Sequence, residues 1–197
     1  MQDNFKDKAH SWDNPDKILM TSKFSNQIAN SIFLYKSDKL AEVGAGTGLV
    51  GLSLLDKVNK IYMVDNSPSM LSVLRGKLDT TSKDKVEIFE GEFKDSDIKD
   101  LDGVICFMSL HHIEDTRDFI KDVKLKTKKN GFLAIGDLEQ EDGSFHEGQK
   151  VPHLGFNLDN LTSLLEEEGF IILRKKVYDN KSKNEKNYPI FIIIAQR

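Results

Sequence analysis

Three observations predict an α/β fold built on a mainly parallel, doubly wound sheet. From Lys39 onward, short apolar runs alternate with segments of helical period, the pattern of parallel strands joined by right-handed crossovers. The first apolar run passes straight into a glycine-rich turn and a helix start, KLAEVGAGTGLVGLSLL over residues 39–55. The last two runs, Phe170 to Tyr178 and Tyr188 to Ala195, are joined too directly for a crossover and must pair antiparallel. The expected sheet therefore has seven strands and ends in an antiparallel hairpin.

The chain opens with a polar arm, MQDNFKDKAHSWDNPDK, in which Phe5 and Trp12 are stranded apolar residues. Asn14-Pro15 reads as an N-cap followed by proline at the first helical position. Met20, Phe24, Ile28, Ile32 and Tyr35 then fall three or four apart, predicting one amphipathic helix to about Tyr35. Residues 1–37 are expected to form a helical lid and residues 38–197 the ligand-binding core of a single domain. Phe5 and Trp12 either pack on that domain or close over its site.

In the glycine stretch, Leu40, Ala41 and Val43 form the strand, Gly44, Gly46 and Gly48 the loop, and Leu49, Val50, Leu52 and Leu55 the helix. Bare backbone and unpartnered helix N–H groups suit a nucleotide-like ligand. Gly46, Gly48 and Gly51 satisfy the dinucleotide pattern G-x-G-x-x-G, while Glu42, Gly44, Gly46 and Gly48 satisfy the acidic-x-G-x-G-x-G pattern of S-adenosylmethionine enzymes. Asp65 ends the next strand (Ile61 to Val64), 19 residues beyond Gly46 and 21 beyond Gly44, and suits either pattern as a ribose ligand. Glu42 leans toward the second, because a carboxylate in a central strand must be satisfied by loop N–H groups or a ligand ammonium. Mere bracing of the loop by Glu42 would fit both.

Ser67-Pro68 opens a helix through Lys77, with Met70 in its first turn facing the same crevice. The third strand, Val86 to Phe89, delivers Gly91, Glu92 and Phe93 to the carboxyl edge of the sheet, where ligands collect. The fourth, Gly103 to Phe107, is fully apolar and makes Cys106 a buried hydrophobe, not a nucleophile. SLHHIED follows, and then a helix from about Thr116 with Phe119, Ile120 and Val123 on one face. Asn130-Gly131 turns into the fifth strand, Phe132 to Gly136, which ends at Asp137. Glu139 to Gly148, acidic and Gly-rich with His146 inside it, reads as a mobile loop over the site. Asn157 caps a helix whose Leu158, Leu161, Leu164 and Leu165 share a face, and Gly169 ends it. The polar run DNKSKNEKN connects the last two strands.

With 197 residues and a net charge of −4, the chain has room for one core and little attraction for duplex nucleic acid or an anionic membrane. Its single cysteine allows no intrachain disulfide and no cysteine metal cluster, which fits a reducing cytosol. The polar N-terminus has no apolar core for a signal peptide, so a cytoplasmic location is expected. His111, His112, His146 and His153 are the candidate general bases, since histidine titrates near neutrality. A metal site from the same four is not expected, because neighbours such as His111 and His112 point different ways on most backbones.

Between Ala9 and Phe170 the motifs EVGAGTG, YMVDNSPSML, EGEF, DGVICFMSLHHIED, KKNGFLAIGDL and LGFNLDNLTSLLEEEGF occur in one order. In this the chain resembles the class I S-adenosylmethionine-dependent methyltransferases, especially the small-molecule group that includes quinone-biosynthesis C-methyltransferases. The resemblance implies a Rossmann-like fold and S-adenosylmethionine as cofactor. It implies that Gly44, Ala45 and Gly46 lie against the methionine part, with Glu42 bracing the loop or reaching the amino group through water. Asp65 would take the ribose hydroxyls, Asn66 and Met70 would flank the adenosine, Glu92 and Phe93 would meet the adenine, and the Phe107 carbonyl would face the amino group. Trp12 would lie near the sulfonium, and His112, with His111 beside it, near the reacting end.

Glu92 stands where the family more often has Asp, and Asn130-Gly131 where it has Pro-Gly-Gly. FMSLHH replaces the Asn/Asp-Pro-Pro-aromatic box of enzymes that methylate nucleobases or glutamine, which turns expectation away from those acceptors. The expected function is methyl transfer to a small molecule by in-line displacement, by a monomer or homodimer that inserts in no membrane and binds no nucleic acid. A non-catalytic holder of S-adenosylmethionine or S-adenosylhomocysteine is the alternative, and an NAD-dependent oxidoreductase the third reading.

Overall fold

The computed structural model describes residues 3 and 5–197. Its centre is one seven-stranded sheet: β1 (Lys39–Val43), β2 (Lys60–Asp65), β3 (Val86–Glu90), β4 (Leu101–Phe107), β5 (Thr127–Leu138), β6 (Ile171–Lys183) and β7 (Lys186–Gln196). The strand order is β3-β2-β1-β4-β5-β7-β6. Pairings among β1 to β5 are parallel, and β7 lies antiparallel between β5 and β6. The doubly wound fold with its antiparallel ending is the one the alternation predicts. The chain runs outward from β1 to β3 and returns at β4, so the crevice where ligands bind in such sheets opens between β1 and β4.

The helices are α1 (Pro15–Ala29), α2 (Leu49–Leu54), α3 (Pro68–Lys77), α4 (Thr80–Lys83), α5 (Thr116–Lys126) and α6 (Leu158–Glu167). Alternation along the strands divides the core in two. Leu40, Ile61, Met63, Ile105 and Ala134 pack beneath Phe24 and Ile28 of α1, Val50 and Leu54 of α2, and Leu71 and Leu74 of α3. Ala41, Val43, Val104, Leu133 and Ile135 pack against Phe119, Ile120 and Val123 of α5 and Leu161 and Leu165 of α6. Asn14, Ser67 and Asn157 each accept a backbone N–H three residues on, as their cap positions require. Among the described residues no helix is long and apolar enough to cross a membrane.

Four local expectations change, the first being that β5 begins at Thr127 and takes in the Asn130-Gly131 pair expected as a turn before it. Helix α1 stops at Ala29, not near Tyr35: Asn30 caps it, and the Ser31 hydroxyl bonds back to the Gln27 carbonyl, leaving Ile32 beyond the helix and Tyr35 58% exposed. The lysine-rich connection is mostly strand, because Asn184 and Glu185 take positive φ of 50° and 62° and reverse the chain in two residues. The 139–148 segment, expected as a mobile loop, is tied to the hairpin. Ser144 Oγ pairs with Tyr188 Oη at 2.7 Å, Lys183 Nζ donates to the Phe145 carbonyl at 2.6 Å, and Lys186 Nζ meets Asp142 at 2.9 Å.

Candidate active site

One cavity of about 1090 Å³ lies over the β1–β4 crevice. All thirteen residues singled out from the sequence line it: Glu42, Gly44, Ala45, Gly46, Asp65, Asn66, Met70, Glu92, Phe93, Phe107, His111, His112 and Trp12. His146 lines it too, whereas His153 lies apart, its Nε2 among Thr116 Oγ1 and the carbonyls of Ile113 and Glu114.

The glycine loop is held from below by two carboxylates. Glu42 is 3% exposed, and its Oε2 accepts the Gly51 N–H of α2 at 2.7 Å, so it satisfies a helix-start donor that has no partner within the helix. Burial pushes the Glu42 carboxyl up to about 8, against the lowering effect of that hydrogen bond. Asp65 accepts the Gly46 N–H at 2.7 Å on one oxygen and the Ser67 N–H at 2.8 Å on the other. Burial raises its pKa as well, opposed by those same backbone bonds. Asn66 gives it a third backbone bond, and the carboxylate still has acceptor capacity for a ligand hydroxyl.

The glycines serve different neighbours. A Cβ on Gly44 would come within 2.3 Å of Ser109 Cβ, so the bare backbone there admits the segment after β4, whose Ser109 Oγ donates to the Val43 carbonyl at 2.8 Å. Gly46, at φ +54°, faces open space, with nothing within 4 Å of where a Cβ would stand. That opening beside Asp65 is a cradle in which a nucleoside ligand can approach the backbone, and the residues present fit S-adenosylmethionine there.

After β4 a single 3₁₀ turn, Leu110 to His112, carries both histidines. Their rings lie 4.2 Å apart and both border the cavity, although adjacent residues were expected to diverge. His146 stands 5.0 Å from the His111 ring. Asp137, 0% exposed at the end of β5, meets His111 Nδ1 at 2.7 Å and also accepts the N–H groups of His111 and Leu138. Facing a carboxylate, Nδ1 is the donor of that bond, and Nε2 is the ring nitrogen not engaged by Asp137. Burial first, and then His111, hold His112 down at about 4, leaving it neutral at physiological pH. Cys106 is fully buried against Ser109, and burial pushes its thiol far above the ordinary range. Among the described residues no group of three or more His, Cys, Asp or Glu could hold a metal.

The arm crosses the mouth of the cavity. Asp3 accepts Ser67 Oγ at 2.8 Å and the Ser69 N–H at 3.1 Å at the start of α3; Asp13 accepts Thr47 Oγ1 at 2.5 Å and pairs with Lys77. Phe5 lies edge-on to Trp12 at 5.6 Å and to His112 at 5.9 Å. A cation does stand over the Trp12 ring: it is Lys17 Nζ, 3.1 Å from the ring centre. The sequence reading missed Asp137, Ser109 and the arm's Asp3 and Asp13. Asp137 carried a usable signal, since like Glu42 and Asp65 it is an acid at the carboxyl end of an apolar strand.

Residues 41–135 match the family described as Methyltransferase domain. Two Schizosaccharomyces pombe proteins are similar. An uncharacterized methyltransferase, C1347.09, is 24% identical over 66% of this chain and 49% of its own length. The mitochondrial ubiquinone biosynthesis O-methyltransferase is 26% identical over 70% of this chain and 54% of its own length. The chain thus spans about half the length of these relatives. Among solved structures, a chain of the complex between the Haloferax volcanii Trm112 methyltransferase activator and its methyltransferase superposes with a TM-score of 0.83 at 13% identity, covering 100% of this chain and 98% of that one. Over residues 41–135, from β1 into β5, the chain is thus similar to the Methyltransferase domain family.

Proposed function

We propose that the protein transfers a methyl group from S-adenosylmethionine to a small-molecule acceptor, with His111 as the general base. The observation that carries this reading is the convergence, in one cavity, of the Gly46 cradle, the Asp65 carboxylate and the Asp137–His111 pair. At about 1090 Å³ the cavity slightly exceeds the ~300–1,000 Å³ typical of ligand sites, which suits a nucleoside-sized cofactor and a small acceptor together. The name of the relative from ubiquinone biosynthesis supports a small acceptor.

When bound, S-adenosylmethionine would supply an electrophilic sulfonium methyl, to which an acceptor's nucleophilic atom bonds in line as the methyl C–S bond breaks and neutral S-adenosylhomocysteine leaves. The chain's residues orient and exclude water. Asp65 holds the ribose edge, Asn66 and Met70 flank the adenosine, Glu92 and Phe93 border the adenine, and Ala45, Gly46 and the Phe107 carbonyl face the methionine part. Glu42 and Gly44 shape the loop beneath it. Phe5 and Trp12 cover the site from the arm. An acceptor whose nucleophilic atom bears a proton gives it to His111 Nε2, and the buried Asp137 carboxylate stabilises the imidazolium that forms. His112, kept neutral, packs beside it, the two rings 4.2 Å apart.

Calorimetry with S-adenosylhomocysteine, S-adenosylmethionine and NAD tests the cofactor, and transfer of labelled methyl into a metabolite extract tests turnover. The first two ligands bind and NAD does not. NAD binding tighter than S-adenosylhomocysteine overturns the reading, and tight binding without transfer to any metabolite makes the protein a holder of the cofactor.

A further inference from the structure

Five lysines line the same cavity: Lys94 pairs with Glu92 at 2.7 Å, and the other four come from distant parts of the chain, Lys8 in the arm, Lys17 in α1, and Lys181 and Lys183 in β6. Most carboxylates on that cavity belong elsewhere. Glu92 follows β3, Glu114 and Asp115 follow β4, and Asp118 and Asp122 lie on α5. Within the lysine group, among the described residues, the one carboxylate on Lys181 is Asp16 at 3.6 Å, itself 82% exposed, and Lys183 has Glu147 at 3.4 Å. Among the described residues neither Lys8 nor Lys17 has a carboxylate partner; Asp13, the acid that attracts Lys17, is taken up by Lys77 and Thr47. Lys17 is the centre of the group. The Trp12 ring holds its ammonium in place, and burial, followed by the charges of Lys181 and Lys8, presses its pKa down to about 8. Crowded, partly desolvated cations of this kind are relieved by an anion brought among them.

Between these lysines and the histidines stands an aromatic wall. On one side Trp12 meets Phe5 at 5.6 Å, and Phe5 meets His112 at 5.9 Å. On the other, Lys183 Nζ lies 5.1 Å from the Phe145 ring, which is 5.2 Å from His146. From one end to the other, the cavity therefore presents positive charge, apolar rings and a proton acceptor. We propose that Lys17, with Lys8, Lys181 and Lys183 around it, forms an anion subsite that takes a carboxylate or phosphate on the methyl acceptor, whose apolar body lies against Phe5 and Phe145. The proposal rests on the methyltransferase reading for the identity of the ligand as acceptor, while the anion subsite itself can be tested without turnover.

Trp12 is the chain's single tryptophan, so intrinsic emission reports on the Lys17 contact. The full chain, free and saturated with S-adenosylhomocysteine, is titrated with benzoate, phenyl phosphate and the uncharged benzamide. At least one anion should shift the emission saturably with a Kd at least ~10-fold below that of benzamide, and the tighter of the two identifies the head group. Lys17→Gln should weaken the anion at least ~10-fold and Lys17→Arg should restore it, while S-adenosylhomocysteine affinity stays within ~2-fold by calorimetry. The subsite is overturned if benzamide binds as well as both anions, if neither anion alters the emission, or if Lys17→Gln leaves anion affinity unchanged. It is overturned equally if that variant loses S-adenosylhomocysteine. Failure of the wild-type chain to bind S-adenosylhomocysteine overturns the methyltransferase reading instead, and the anion titration of the free protein still decides the subsite.

Discussion

Glu42→Gln tests the electrostatics of the glycine loop most directly. In the fold the Glu42 carboxyl sits 3% exposed beneath α2, and burial raises its pKa from 4.5 to about 8. The folded chain therefore holds a proton in a pH window where the unfolded chain has released it. Stability contributed this way is present below about pH 4.5 and is lost as the pH rises through about 8. At ~1.4 kcal/mol per pH unit, the loss between pH 5 and pH 9 comes to about 4 kcal/mol. Glutamine keeps the side-chain size and the oxygen that accepts the Gly51 N–H at 2.7 Å, but carries no proton to lose. Urea unfolding of both proteins across that range isolates the effect, since every other titrating group cancels in the difference. The variant should gain on the wild type as pH rises, by about 4 kcal/mol in all. A difference that stays flat would mean that Glu42 is ionised inside the fold and that the buried-proton argument is wrong.

Asp65→Ala removes an acceptor placed for ribose hydroxyls and frees the Gly46 and Ser67 N–H groups. It should weaken S-adenosylhomocysteine binding by about 2 to 4 kcal/mol in calorimetry, and a loss under ~1 kcal/mol would refute the ribose role. Asp137→Ala strands His111 Nδ1 and two backbone N–H groups in a site with no solvent access, at a cost of about 3 to 5 kcal/mol in urea unfolding. A cost under ~1 kcal/mol would show that the neighbours re-pair without it. Deleting residues 1–13 leaves Asn14-Pro15 to start α1, so the melting temperature should move by only a few degrees, while turnover falls at least ~10-fold once the cover of Phe5 and Trp12 is gone. Unchanged turnover would reduce the arm to packing.

Much of the fold was legible because its signals are local. Asn14-Pro15, Ser67-Pro68, Asn157 and Gly169 mark helix ends through bonds that reach three or four residues, and each does so in the structure. The glycine loop and Asp65 were legible because a nucleotide cradle needs bare backbone at a fixed distance from a carboxylate on the next strand. Where local rules mislead, a rival local force wins. Asn30 and Ser31 stop α1 although the apolar period continues, and a two-residue reversal at Asn184 and Glu185 turns a polar linker into strand.

What tertiary structure alone decided are contacts between parts that share no local rule. Glu42 could be recognised from the sequence as a costly buried acid, yet only the folded loop places the Gly51 N–H against it and leaves no water to keep it charged. The resemblance favoured His112 among the four histidines, and His111 stood out only when β4 and β5 paired and brought Asp137 to its ring across 26 positions of sequence. Lys8, Lys17, Lys181 and Lys183 are unremarkable singly; they share one wall because the arm and the last hairpin close on the cavity from opposite ends of the chain. Hydrophobic period and capping set where each element begins and ends, whereas the charge state of a group depends on everything that excludes water from it, and that is known only once the sheet has ordered its strands.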